Sequence, residues 1–290
     1  EIVDCDWSSD VCSSDLDKVR ITATDSQKVP NASATSASSG ADINGAAIMN
    51  ATAQMRERLK PVAARMLGCS EADITFANSE AHGGGKSVKW EDITKQAWLD
   101  RVGLSVTGFY MTPEIKYDFT TLNGRAFYYY CYGAAVSEVE INTRTGEWWL
   151  KAVDIVHDVG KSINPAIDKG QIEGAFVQGM GWLTMEECIW DKKGKLLTHG
   201  PSTYKIPVAG DIPEHFNVTL FDGYNLKPTP FHSKATGEPP LMLGLSSFFA
   251  LRDAVAASAD HKVVVHLDAP ATPERILMAC EKVKALAANA

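Results

Sequence analysis

The stretch Lys234-Ala235-Thr236-Gly237-Glu238-Pro239-Pro240-Leu241 constrains this chain more than any other segment. Gly237 permits a positive φ that a residue with a Cβ would resist. Glu238 is followed by proline, which favours an extended backbone. Two prolines then suit the first turn of a helix, where an amide hydrogen is not needed. Residues 241–251 are apolar almost all round and predict a buried helix that runs to about residue 258. One carboxylate is thus set at the mouth of a buried helix, on a turn with little freedom. Spacing alone leaves two readings open: a general base, or an acid favoured by the positive end of the helix dipole.

The rest of the pattern predicts mixed α and β structure. Residues 19–24 read as a strand. Small residues at 30–40 open a long helix through residue 66, bent or broken at Pro61. Residues 81–88 read as a glycine-rich loop, 91–102 as a helix and 104–110 as a strand. Residues 125–142 alternate strongly, and the Arg144-Thr145-Gly146 turn joins them to a strand ending near His157, making a long hairpin. A helix over 166–180, a hairpin turning at 191–195, a strand at 216–221 and helices at 241–258 and 272–288 complete the chain. Helices follow hairpins rather than alternating with single strands, so the expected fold is α+β, with mixed sheets, long hairpins and packed helices. Residues 17–290 read as one domain, with a subdomain split left open near 150–165.

Residues 1–16 stand apart. They carry five acids and no lysine or arginine, and they resemble translated sequencing-adapter read-through rather than a folded motif. They are also too polar for a signal peptide, so they are set aside as a non-native leader. The expected consequence is a chain that lacks the true N-terminal part of its subunit. Without the leader the net charge falls from −8 to −3. No basic stripe supports nucleic-acid binding, and no apolar run approaches the ~20 residues a membrane span needs. Cys69, Cys131, Cys188 and Cys280 lack close spacing and read as free thiols in a reducing compartment, the cytoplasm. The seven histidines form no short ligand spacing, so no metal site is expected from them. Gly85-Lys86-Ser87 ends like a phosphate loop, but Glu80 occupies the required first glycine position, which makes the segment surface.

Two elements look built to meet a ligand. In the helix after Asp168, Gln171, Gly174, Ala175 and Gln178 share one face at i, i+3, i+4 and i+7, with Ile172, Phe176 and Val177 on the other. Carboxamides beside Gly and Ala let a flat polar ligand approach the backbone; the alternative is tight packing against another helix. Small hydroxyl residues over 35–40, just before a helix, leave amide hydrogens free for an anion. The alternative there is an ordinary N-cap.

Residues 234–241 resemble the active-site turn of the molybdenum hydroxylases, the xanthine dehydrogenase and aldehyde oxidase family. Asp158-Val159-Gly160-Lys161-Ser162-Ile163-Asn164-Pro165-Ala166-Ile167-Asp168 is similar to that family's strand-to-helix turn, and Gln171-Ile172-Glu173-Gly174-Ala175-Phe176-Val177-Gln178-Gly179 to its cofactor-contacting helix. Residues 29–40 resemble its pterin-side loop and 267–275 its C-terminal signature, all in family order. The resemblance implies the C-terminal part of a molybdopterin-binding domain. It makes Glu238 the catalytic base, taking a proton from a molybdenum-bound hydroxyl while hydride passes to the sulfido group. Partial burial should then raise the pKa of that base and the helix N-terminus lower it. The resemblance also implies Gln171, Thr35, Ala37 (through its backbone) and Ser38 as cofactor contacts, with molybdenum held through the pterin and not by the protein. Lys234 is expected to steady the turn. Iron–sulfur clusters and FAD are expected on partner domains or subunits, and the assembly is expected to be an oligomer. Residues 107–110 and 201–207 look more like the xanthine-oxidising branch, which implies a purine substrate, hypoxanthine or xanthine, oxidised to urate. Aldehyde or another N-heterocycle is the alternative substrate, and an inactive remnant that binds no cofactor alone is the alternative class.

Overall fold

The computed structural model describes residues 19–22, 38 and 40–289. The chain divides into two units, one taking everything up to Tyr129 with Asn225–Ser233, the other Tyr130–Tyr224 with Lys234–Ala290.

In the first unit, α1 (Gly40–Leu67) runs unbroken through Pro61. The break weighed there is absent. Pro61 removes one amide donor, but Leu59, Val62 and Ala63 on either side of it are almost fully buried and hold the helix line. Strands β1 (Thr75–Ala77), β2 (Glu80–Gly83) and β3 (Lys86–Lys89) form an antiparallel sheet. The segment expected as a loop at 81–88 is therefore a hairpin. Gly84 and Gly85, at φ 56° and 73°, make its turn, and Lys86 and Ser87 pair with β2. Helix α2 (Trp90–Leu99) follows, and Leu59, Val62, Phe76, Ala81, Ile93 and Ala97 form the core. Residues 104–110 form no strand. Side chains of α1 serve that backbone instead: Arg58 donates to the carbonyls of Gly103 and Ser105 at 2.7 and 2.9 Å, and Asn50 accepts from the Phe109 amide at 3.3 Å. Residues 19–22 are not in a strand either; 23 and 24 lie outside the described residues. A short pair, β4 (Lys116–Asp118) with β5 (Asn123–Arg125), also belongs to this unit.

The second unit is built on β6 (Gly133–Ile141) and β7 (Trp148–His157), the long antiparallel hairpin, which turns through Gly146 at φ 76°. The strand begins at 133 rather than 125. Strand β8 (His215–Leu220) lies parallel to β7. Parallel neighbours need a crossover, and α3 (Pro165–Thr184) lies within it. Ile172, Phe176 and Met180 of α3 pack on Val153, Ile155 and Val218 of the sheet. The prolines at 239 and 240 open a 3₁₀ turn, Pro239–Gly244, which passes into α4 (Leu245–Ala257), and α5 (Pro273–Ala288) ends the fold. Leu251, Val255, Ile276, Cys280 and Val283 form a second core between α4 and α5. The hairpin expected at 191–195 reduces to one bridge, Trp190 to Leu196. The 19 residues Pro239–Ala257 are apolar enough by length and composition to cross a membrane; Leu251 and Val255 on this stretch are fully buried in the core. The fold is α+β, and none of the four cysteines among the described residues is in a disulfide.

Candidate active site

The end of β7 leads into α3 through a loop that its own side chains shape. Asp158 Oδ1 accepts from the Gly160 amide at 2.9 Å, where the chain turns at φ 63°. Asn164 caps α3 by accepting from the Ile167 amide at 3.2 Å, and Pro165 takes the first helical position. This entry turns one side of α3 to the sheet and leaves Gln171, Gly174 and Gln178 exposed on the other.

That exposed face lines an open cleft of about 330 Å³, formed by Gly170, Gln171, Gly174, Ala175 and Gln178 together with Gly237. The two sequence elements, sixty residues apart, thus meet: Gly237 is the residue before Glu238. A Cβ on Gly170 or Gly174 would meet nothing within 4 Å, so these glycines do not serve helix packing. The close packing sits further along α3. A Cβ on Gly179 would lie 2.1 Å from the Leu241 carbonyl oxygen, and one on Gly244 2.5 Å from the Gly179 carbonyl carbon. Here α3 and the Pro239–Gly244 turn touch backbone to backbone.

The turn itself is held at its root. Lys234 pairs with Asp158 and donates to the Tyr130 carbonyl at 3.0 Å, while its amide donates to the Val159 carbonyl at 2.8 Å. The Lys234 ammonium also lies 5.5 Å from the centre of the Tyr132 ring. Cys131 Sγ donates to the Ala235 carbonyl at 3.0 Å. Thr236 Oγ1 donates to Asp168 Oδ1 at 3.3 Å. Gly237 is not among the glycines with positive φ. Glu238 has φ −104° and ψ −38° in place of the extended backbone that a following proline favours. Its carbonyl accepts from the Leu241 amide at 3.1 Å, which commits it to the helical turn. Its side chain makes no capping bond, and the residue is exposed where partial burial was expected.

His157, just before Asp158, is buried, and its Nδ1 has no hydrogen-bond partner. Burial pushes its imidazole below the ordinary value of 6.5; Asp158 opposes that shift and Lys234 adds to it. In the first unit Ser38 takes φ 55° ahead of α1, while Thr35 and Ala37 lie outside the described residues. Asp42, in the first turn of α1, accepts the Tyr129 hydroxyl hydrogen. Burial raises its carboxyl above the usual range, and that hydrogen bond offsets part of the rise.

Sequence reasoning did not identify His157, Thr236 or the Gly179–Gly244 contact. Small residues on two apolar helical segments were the one available signal for the last of these. Among the described residues no group of three or more His, Cys, Asp or Glu side chains gathers at one point. The cleft offers carboxamides and open space over glycine, and the residue that follows Gly237 in the chain carries a carboxylate. That donor set fits a flat polar group carrying its own hydrogen-bonding edge, such as a pterin.

A family model described as a molybdopterin cofactor-binding domain matches residues 8–213, beginning inside the stretch 1–16 that was expected to be a non-native leader. Xanthine dehydrogenase of Oryza sativa subsp. japonica is 44% identical over 276 residues, covering 91% of this chain and 19% of that protein. Xanthine dehydrogenase/oxidase of Mus musculus is 46% identical over 269 residues, with the same coverage of each chain. The chain spans about a fifth of the length of these relatives. Among solved structures, quinoline 2-oxidoreductase from Pseudomonas putida 86 aligns with a TM-score of 0.69 at 27% identity, over 86% of this chain and 31% of that one. Aldehyde oxidoreductase from Desulfovibrio gigas aligns with a TM-score of 0.71 at 20% identity, over 94% of this chain and 27% of that one, a likeness of fold alone.

Proposed function

This chain belongs to the molybdopterin cofactor-binding domain family of oxidoreductases, and we propose that it supplies the general base and part of the pterin contacts of a molybdenum hydroxylase acting on a purine. The observation that carries this reading is the cleft in which the glutamine face of α3 meets Gly237, the neighbour of Glu238. Gln171 and Gln178 present donors and acceptors to the edge of a pterin, and the open space over Gly170 and Gly174 admits it close to the helix backbone. The resemblance of residues 29–40 to the family's pterin-side loop makes Thr35, Ala37 and Ser38 further candidate cofactor contacts. When bound, the molybdenum–molybdopterin group supplies the two-electron acceptor for oxidation at carbon. Glu238 takes the proton released by the oxygen nucleophile as it adds to the electron-poor carbon, which is general-base catalysis. Its exposed position leaves the carboxylate open to that partner. The Lys234–Asp158 pair keeps the root of the turn fixed while the proton moves.

The xanthine dehydrogenases among the relatives favour hypoxanthine or xanthine as substrate, with urate as product. The likeness to a quinoline oxidoreductase favours another N-heterocycle as the second reading. Electrons would leave through iron–sulfur and FAD domains or subunits outside this stretch, in an oligomeric cytoplasmic enzyme. In the holoenzyme that carries this chain, Glu238→Gln is expected to keep bound molybdenum and pterin and to lower turnover about 10²–10⁴-fold. Turnover near that of the unaltered enzyme, with cofactor in place, would remove Glu238 from the chemistry. Assays with xanthine, an aldehyde and quinoline side by side separate the substrate readings.

A further inference from the structure

We infer that Asp168 is a positioning residue for Glu238, tying the turn that bears the base to the helix that bears Gln171; the inference rests on the functional reading above. Asp168 stands in the first turn of α3, where an acid commonly serves the helix terminus. That service is already supplied by Asn164 as cap and Pro165 at the first position. The Asp168 carboxylate instead bonds away from its helix with both oxygens: Oδ2 accepts from Ser162 Oγ at 2.5 Å and Oδ1 from Thr236 Oγ1 at 3.3 Å. Ser162 belongs to the loop that enters α3, so one carboxylate joins that loop, the helix and the active-site turn.

The position of the contact along the turn gives it its consequence. Lys234 and Ala235 are held at the root, by Asp158 and Cys131. Gly237 has no side chain, so Thr236 offers the last side-chain tie before Glu238. Asp168 lies one helical turn from Gln171, on the same side of α3. The tie therefore sets where the base stands relative to the carboxamide that meets the cofactor edge. At 3.3 Å the bond is long, and it contributes direction more than energy. Asp168 touches none of the reacting atoms in this arrangement; it acts through Thr236.

Three forms of the holoenzyme test this: unaltered, Thr236→Val, which keeps the side-chain shape and removes the hydroxyl, and Thr236→Ser, which keeps the hydroxyl. Thr236→Val is expected to retain bound molybdenum and pterin, to leave KM within about twofold and to lower kcat about tenfold, since small misplacements of a reacting group are costly. Thr236→Ser should recover most of that loss. A second measurement needs no activity: in the chain alone, the amides of residues 236–238 and 241 should exchange with solvent roughly tenfold faster in Thr236→Val, with those of 172–184 unchanged. Unchanged kcat, a serine variant as impaired as the valine variant, or unaltered exchange at 236–238 and 241 would each overturn the inference. Loss of cofactor together with activity would also overturn it, by assigning the pair a structural role. Glu238→Gln keeps the two readings apart: if it abolishes turnover while Thr236→Val does not, only the positioning role fails.

Discussion

Lys234 and Asp158 show how the turn is secured at the residue scale. Their side chains are only 10% and 14% exposed, and a buried charge left without its partner is costly, so each holds the other in place. The backbone adds a second restraint at the same residue through the Lys234 amide. His157 lies beside this pair with its ring buried and Nδ1 unpaired. The fold therefore favours the neutral imidazole, and the unfolded chain binds a proton more readily than the folded one on the acid side of 6.5. The stability contributed by neutral His157 is complete above about 6.5 and is lost as pH falls through that window towards the lowered folded value. Thermal unfolding measured from pH 8 to pH 5 should show a declining melting temperature below about 6.5, and His157→Gln should flatten that decline. An acid limb of equal slope in both forms would place its cause in other groups.

At the element scale, the glycines of α3 and of the Pro239–Gly244 turn do opposite things. Gly179 and Gly244 let two backbones touch, and a methyl on Gly179 would reach to 2.1 Å from the Leu241 oxygen. Gly179→Ala is expected to destabilise the second unit by roughly 2–3 kcal/mol, as overpacking does, and to displace the turn that carries Glu238. Gly174, five residues earlier, faces open space. Gly174→Ala should raise stability by about 0.5–1 kcal/mol through helix propensity, while placing a methyl in the cleft and weakening pterin retention in the holoenzyme. Denaturant unfolding with a molybdenum assay on both variants checks the contrast. Loss of stability in both, or in neither, would mean that the two glycines are not divided between packing and access in this way.

For the whole molecule, the division of labour between units matters. The first unit has its own core on α1 and α2, and the second has two cores around the long hairpin and α3–α5. Gln171 and Glu238 both belong to the second. The cleft that Gln171 lines is open and formed by six residues, whereas sites that retain a small molecule enclose about 70–90% of its surface. The isolated chain, purified from a molybdenum-replete host, is therefore expected to carry well under one pterin per chain. Stoichiometric molybdenum and pterin would show instead that this stretch encloses the cofactor unaided.

The sequence determined what nearest neighbours decide. The proline pair opening a helical turn, the hairpin at 144–146 and the face shared by Gln171, Gly174 and Gln178 all follow from residues within two turns of each other, so their spacing was legible. Two local signals misled. The glycines at 84 and 85 looked like a loop and form a hairpin turn, because positive φ serves both. The stretch at 104–110 read as a strand, but α1 side chains bond its backbone at Ser105 and Phe109 instead. Only the tertiary structure decided that α3's glutamine face adjoins Gly237, that β8 runs parallel to β7, that Thr236 meets Asp168 across 68 residues and that Lys234 meets Asp158 across 76. Such contacts leave no periodic trace: each needs one polar group at each end, and the fold alone determines which ends meet.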